Sequence, residues 1–204
     1  MSRQEVRTLR VVTEKLETAA GAMPTLAGVN ATAAEINYAA DLSAQDAMAP
    51  GAGFAGTGTV YESAVERGGG IIKTRILIDL TGTKSTTTDL DIIGLSGVSH
   101  IGQVTTAING TIVGGSLTCL EAPATGVTDI DLYAATEGTG AYDGAVGDLA
   151  ETALVTAGGA WTLGLTKPLL VPVAADKYLY LTCGAAGVVG TYTAGVFLLE
   201  MWGV

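Results

Sequence analysis

The sequence predicts an all-β protein: an antiparallel β-sandwich, jelly-roll-like, with an N-terminal extended arm containing one or two short helices. Three observations predict it. From about residue 60 onward apolar residues recur with period two. The segments between those runs are rich in glycine, which supplies 29 of the 204 residues, about twice the usual share of roughly 7%. No helical pattern separates the runs, which argues against the βαβ units of a parallel sheet and leaves a sandwich or jelly roll of roughly six to eight strands. The division expected is an arm over residues 1–58 and a body over 59–204.

Taken in order, Ser2 and Glu5 have the form of a capping box, and Val6, Leu9, Val12 and Leu16 follow at spacings of three and four. Those spacings set one apolar stripe on an otherwise polar rod. So short a helix is marginal alone in water, so the stripe needs something to pack on. Thr32 and Glu35 repeat the box and open a short helical reading through Ile36 to about Leu42. Residues 49–58 hold too many glycines for either regular element and read as a linker.

In the body, residues 72–80 set Ile72, Thr74, Ile76, Ile78 and Leu80 on one side and Lys73, Arg75 and Asp79 on the other. That is a half-buried strand, with Leu77 as an exception on the polar side. Asn109-Gly110, between runs at 98–108 and 111–121, is the hairpin signal, because both turn positions favour positive φ. Residues 128–133 and 177–183 alternate again, with Asp129 and Asp131, and Tyr178, Tyr180 and Thr182, on their polar sides. Residues 191–202 supply the last strand, and Pro168 and Pro172 mark 169–173 as an edge or irregular crossing.

Composition excludes several functions. Ten basic against 20 acidic side chains give a net charge of -10, so no nucleic acid is expected as a partner, since phosphate neutralisation needs clustered Lys and Arg. The longest strongly apolar stretch, 169–175, is broken by Pro172 and falls short of the roughly 20 residues of a spanning helix. No membrane partner is expected, and the charged start lacks the apolar core of a secretory signal. Charged residues are 15% of the chain and hydrophobic ones 48%, which excludes intrinsic disorder and favours large protein contacts. The charge is uneven. From residue 76 onward 12 acidic residues face only Lys84, Lys167 and Lys177, a balance of -9, whereas residues 1–20 carry four basic and three acidic, a balance of +1.

Candidate chemistry is sparse. The run from Gly51 through Gly53 to Gly56 spells GxGxxG but lacks the preceding strand and following helix that hold a dinucleotide, so no cofactor is expected. Asp89 with Asp91, and Asp129 with Asp131, could bind a hard cation or divide acid and base roles; on strands such alternation usually marks the wet face of a sheet. No metal or catalytic residue is therefore assigned. His100 is the single histidine, and no GxSxG elbow accompanies it. Cys119 and Cys183 read as small buried hydrophobes, with a disulfide as the alternative. Trp161, Trp202, Tyr178 and Tyr180 form either a glycan-binding face or packing residues, and packing is preferred.

Residues 28–37, Gly-Val-Asn-Ala-Thr-Ala-Ala-Glu-Ile-Asn, resemble a segment of tailed-phage fibres and decoration proteins. Residues 60–67 and 71–82, with His100-Ile-Gly-Gln103, Asn109-Gly-Thr-Ile112, Asp129-Ile-Asp-Leu-Tyr133 and the ending 197–203, are similar to virion proteins of marine and cyanobacterial phages, a group associated with head decoration, or cement. The resemblance implies a non-enzymatic virion protein, assembled in the host cytoplasm. Its partners would be the major capsid protein and its own copies in a homotrimer, and it would bridge capsid subunits on the shell's outer surface. The partner-binding residues expected are Val6, Leu9, Val12, Leu16 and Ile36 of the arm. A tail-fibre or receptor-binding module is the alternative, and a glycan hydrolase using two of the carboxylates is a third reading.

Overall fold

In the computed structural model, residues 48–54, 61–156, 158–187 and 189–204 are described, and all belong to one compact unit, Asp46–Val204. The stripe Val6, Leu9, Val12 and Leu16, with Ile36, lies outside the described residues. The strands in chain order are β1 (Tyr61–Gly68), β2 (Ile71–Asp79), β3 (Lys84–Ser85), β4 (Gln103–Val104), β5 (Ile112–Ala124), β6 (Ile130–Ala135), β7 (Glu151–Val155), β8 (Thr166–Pro168), β9 (Lys177–Cys183), β10 (Gly190–Thr191) and β11 (Ala194–Gly203). A one-turn helix, α1 (Thr106–Asn109), precedes β5.

Every strand pairing is antiparallel. The first sheet has the order β1-β2-β11-β5-β8 and the second β4-β9-β6-β7, with β10 and β3 paired separately. Apart from β1, each sheet contributes four strands, and the chain passes repeatedly from one sheet to the other. This is the expected all-β sandwich with jelly-roll topology. β2 obeys the predicted alternation: Thr74, Ile76 and Ile78 are fully buried while Lys73, Arg75 and Leu77 lie on the opposite side. The inner faces meet in one core, with Ile76, Leu117, Phe197 and Leu199 from the first sheet and Ile130, Leu132, Leu179 and Leu181 from the second. Trp161 closes it edge-on to Phe197, ring centroids 5.3 Å apart, and donates its indole N–H to the Ile130 carbonyl at 2.7 Å. Residues 169–173 form no strand, in keeping with the irregular crossing the prolines predicted, and they follow β8, which is an edge of the first sheet.

Three expectations change. Asn109-Gly110 does not turn a hairpin, because β4 belongs to the second sheet and β5 to the first. Asn109 instead ends α1: its Oδ1 accepts from the Thr105 amide at 2.9 Å and its Nδ2 donates to Thr74 Oγ1 at 2.9 Å. Only Gly110, at φ 69°, uses the positive φ that the motif favours. The tight hairpin lies at Gly69 and Gly70, φ 60° and 81°, between β1 and β2.

The second change concerns the segment read as a linker. Over its described part it is docked on the body. Phe54 is fully buried, contributing about 1.5–3 kcal/mol by burial, which holds a segment whose glycines weaken helix and strand alike. The Gly51 and Gly53 amides donate to the carbonyls of His100 and Val98 at 2.8 and 2.6 Å, and the Met48 carbonyl accepts from the hydroxyls of Tyr61 and Ser63.

The third change is that β6 and β9 have no wet face. All six residues of β6 are buried, and Tyr180 and Thr182 of β9 are fully so. The cause is a second layer. Loops from residues 84–99 and 136–150 lie over the outer face of the second sheet, joined to it by the bridge Ile92–Thr182 and to each other by Asp91–Ala145 and Val98–Ala141. Ile92, Val146 and Leu149 form a second apolar cluster with Tyr133, Ala135 and Tyr180.

Candidate interaction surface

The two sheets therefore present unequal exteriors. The second is sealed by its own loops, whereas among the described residues no second layer lies over the outer face of the first. The strand registers give that face in rows. One runs Glu66, Lys73, Trp202, Gly114; the next Ala64, Arg75, Glu200, Ser116, Pro168; the next Glu62, Leu77, Leu198, Thr118, Thr166. At the Trp202 end it carries large exposed apolar side chains: Ile71 at 46%, Val113 at 55%, Trp202 at 37% and Val204 at 58% exposure. A bulge opposite Trp202 brings Val113 and Gly114 together there, and a Cβ at Gly114 would touch the indole at 3.7 Å. The central charges are paired within the face, Lys73 with Glu200 and Arg75 with Glu66. Such exposed pairs add little stability, but they leave the centre of the face with little net charge.

The reactive side chains are used by packing. His100 lies against Tyr178 and Tyr180, centroids 5.0 and 6.3 Å away, and burial holds its imidazole below the ordinary value of 6.5. The neighbouring Ser99 hydroxyl donates to the Gly97 carbonyl at 2.9 Å rather than to a base. The amides of Gly51 and Gly53, which a phosphate would need, are committed to the body, and a Cβ at Gly53 would lie 2.0 Å from Ser99 Oγ. Close approach of two backbone segments explains this glycine pattern.

Each aspartate pair has one buried member: Asp91 is 7% and Asp131 5% exposed, whereas Asp89 is exposed and Asp129 half-buried, and Asp91 accepts from Thr86 Oγ1 at 2.8 Å. Asp129 and Asp131 both approach Gly184, with oxygens 2.8 and 2.9 Å from where its Cβ would stand. Burial raises the Asp129 pKa, opposed by a hydrogen bond from the Gly159 backbone and by Lys167, and assisted by Asp89. Among the described residues no group of three or more His, Cys, Asp or Glu side chains is arranged to hold a metal ion.

The four aromatics considered together are separated. Trp161 is in the core, Tyr178 and Tyr180 lie under the loops of the second sheet, and Trp202 stands on the outer face of the first. Cys119 and Cys183 are buried free thiols, as read from the sequence. Among the described residues the exposed apolar face is left unexplained by packing, as are the exposed Leu163, Leu170 and Val171 beside β8. The sequence carried one sign of it, Leu77 on the polar side of β2. No family model, curated protein or solved structure matches the chain.

Proposed function

We propose that the protein is a structural component of a bacteriophage particle, binding the outer surface of the capsid and stabilising the shell by bridging major capsid subunits. The observation that carries the adhesive part of this reading is the inequality of the two exteriors: a jelly roll that seals one sheet with its own loops and leaves the other with exposed Trp202, Val113, Ile71 and Val204 beside internally paired charges. An exposed aromatic beside internally paired charges suits burial against protein. The capsid as destination rests on the sequence resemblance. Each copy works by adhesion, and several weak contacts to one lattice act together through effective concentration.

The test is to add purified protein to emptied shells that lack it, sediment them, and count bound copies by quantitative mass spectrometry. Saturable binding of hundreds of copies, with shells that rupture at a higher temperature, is the expected result. A few tens or fewer would point to a fibre or receptor-binding role, and no binding overturns the proposal.

A further inference from the structure

We propose that the outer face of the first sheet is where copies of this chain meet one another, with Trp202 as the aromatic anchor at its apolar end. The inference deepens the adhesive reading and rests on it for the biological use of the assembly. Three observations favour a second copy as occupant.

The first is charge. The loops sealing the second sheet carry Asp89, Asp91, Glu137, Asp143 and Asp148 against Lys84 alone, so two such surfaces repel. The Trp202 end of the first sheet cancels its charges internally through Lys73–Glu200 and Arg75–Glu66, and the further acids of this face, Glu62 and Asp79, lie toward its opposite end. In a chain of net charge -10, copies approach at least electrostatic cost through this face.

The second is area. Five strands, the nine-residue β2 among them, make a face of about 30 Å by 20 Å, roughly 600 Å² in projection. A stable interface covers roughly 800 Å² on each partner, so this face supplies most of one side.

The third is a second apolar surface. Leu163, Leu170 and Val171, at 75%, 61% and 41% exposure, flank the edge strand β8. An edge of one copy set on the face of the next is a heterologous contact, and closing such contacts gives a ring.

The test is sedimentation equilibrium of the full chain at micromolar concentration. The wild type is expected at a whole multiple, two or more, of 20.5 kDa. Trp202→Glu is expected to weaken assembly at least about thirtyfold, with an unchanged far-ultraviolet spectrum. Val113→Lys, at a more exposed position, is expected to do the same and stands in if the tryptophan variant misfolds. Val189→Lys, exposed but outside this face, should keep the wild-type mass. A monomeric wild type, face variants that keep its mass, or a Val189 variant that dissociates equally would overturn the proposal. Shell binding is scored separately. An assembling protein that ignores shells sinks the capsid reading alone, and a wild-type monomer that coats them sinks this one alone.

Discussion

Replacing Asn109 with glycine tests the buried side-chain network that ends α1. If residues 109–110 formed a two-residue hairpin turn, Asn109→Gly would be neutral or stabilising, because glycine suits a turn position with positive φ. In the structure Asn109 is helical and fully buried, and its amide joins the Thr105 N–H to the Thr74 hydroxyl, both at 2.9 Å. Glycine removes both bonds. A buried partner left unsatisfied costs about 1–3 kcal/mol, and the added backbone freedom about 0.5–1 kcal/mol. A total of about 4 kcal/mol corresponds to a fall in Tm of roughly 8–16 °C for a domain of this size. Thermal unfolding followed by far-ultraviolet circular dichroism, with calorimetry to check that the transition is two-state, measures it. A variant melting with the wild type would show that the network carries no stability and that the chain tolerates a turn there.

Gly110→Val should also be strongly destabilising: Gly110 has φ 69°, and a Cβ there would lie 2.8 Å from the Val204 carbonyl oxygen and 2.9 Å from Ile72 Cδ1. Strain plus overpacking amount to about 2–5 kcal/mol, so a urea midpoint equal to the wild type's would contradict the packing described. His100 is buried beside Tyr178 and Tyr180 with its pKa depressed below 6.5. Its unfolded form therefore takes up a proton first as pH falls, so the stability tied to neutral His100 is present above 6.5 and declines below it. The urea midpoint should fall less between neutral and mildly acid pH in His100→Gln than in the wild type, and an equal fall in both would remove the histidine from the account. Burial raises the pKa of both thiols, so Ellman's reagent should find none in the native protein and two after denaturation.

How far the sequence could be read depended on how local the determining contacts were. β2 was legible because its two environments, core and exterior, alternate along the strand itself, and Leu77 already hinted at an exterior that is not simply wet. β6 and β9 were misread because what buries Asp131, Tyr180 and Thr182 is a layer formed by residues 84–99 and 136–150, distant in sequence. Asn109-Gly110 has a turn's composition, but the Thr105 and Thr74 partners that commit Asn109 to a helix end come from outside the motif. The hairpin turn at Gly69-Gly70, where both residues use positive φ, went unread. Breaker content correctly denied residues 49–54 a strand, but it also denied the single 3-10 turn at Ala52–Phe54 and could not register that Phe54 is buried in the body. Exposure of Trp202 was hidden because its strand also buries Phe197, Leu199 and Met201, and the phase distinguishing them is visible only once the register is known.

The docking of residues 48–54 also bears on how the molecule transmits force. If the preceding residues grip a support, tension along the chain arrives first at the Met48 carbonyl clamped by Tyr61 and Ser63, then at two backbone hydrogen bonds and the plug of Phe54. That arrangement acts as a strain relief, like the collar where a cable enters a housing. A tug is spent on this clasp before it can peel β1 away from its sheet.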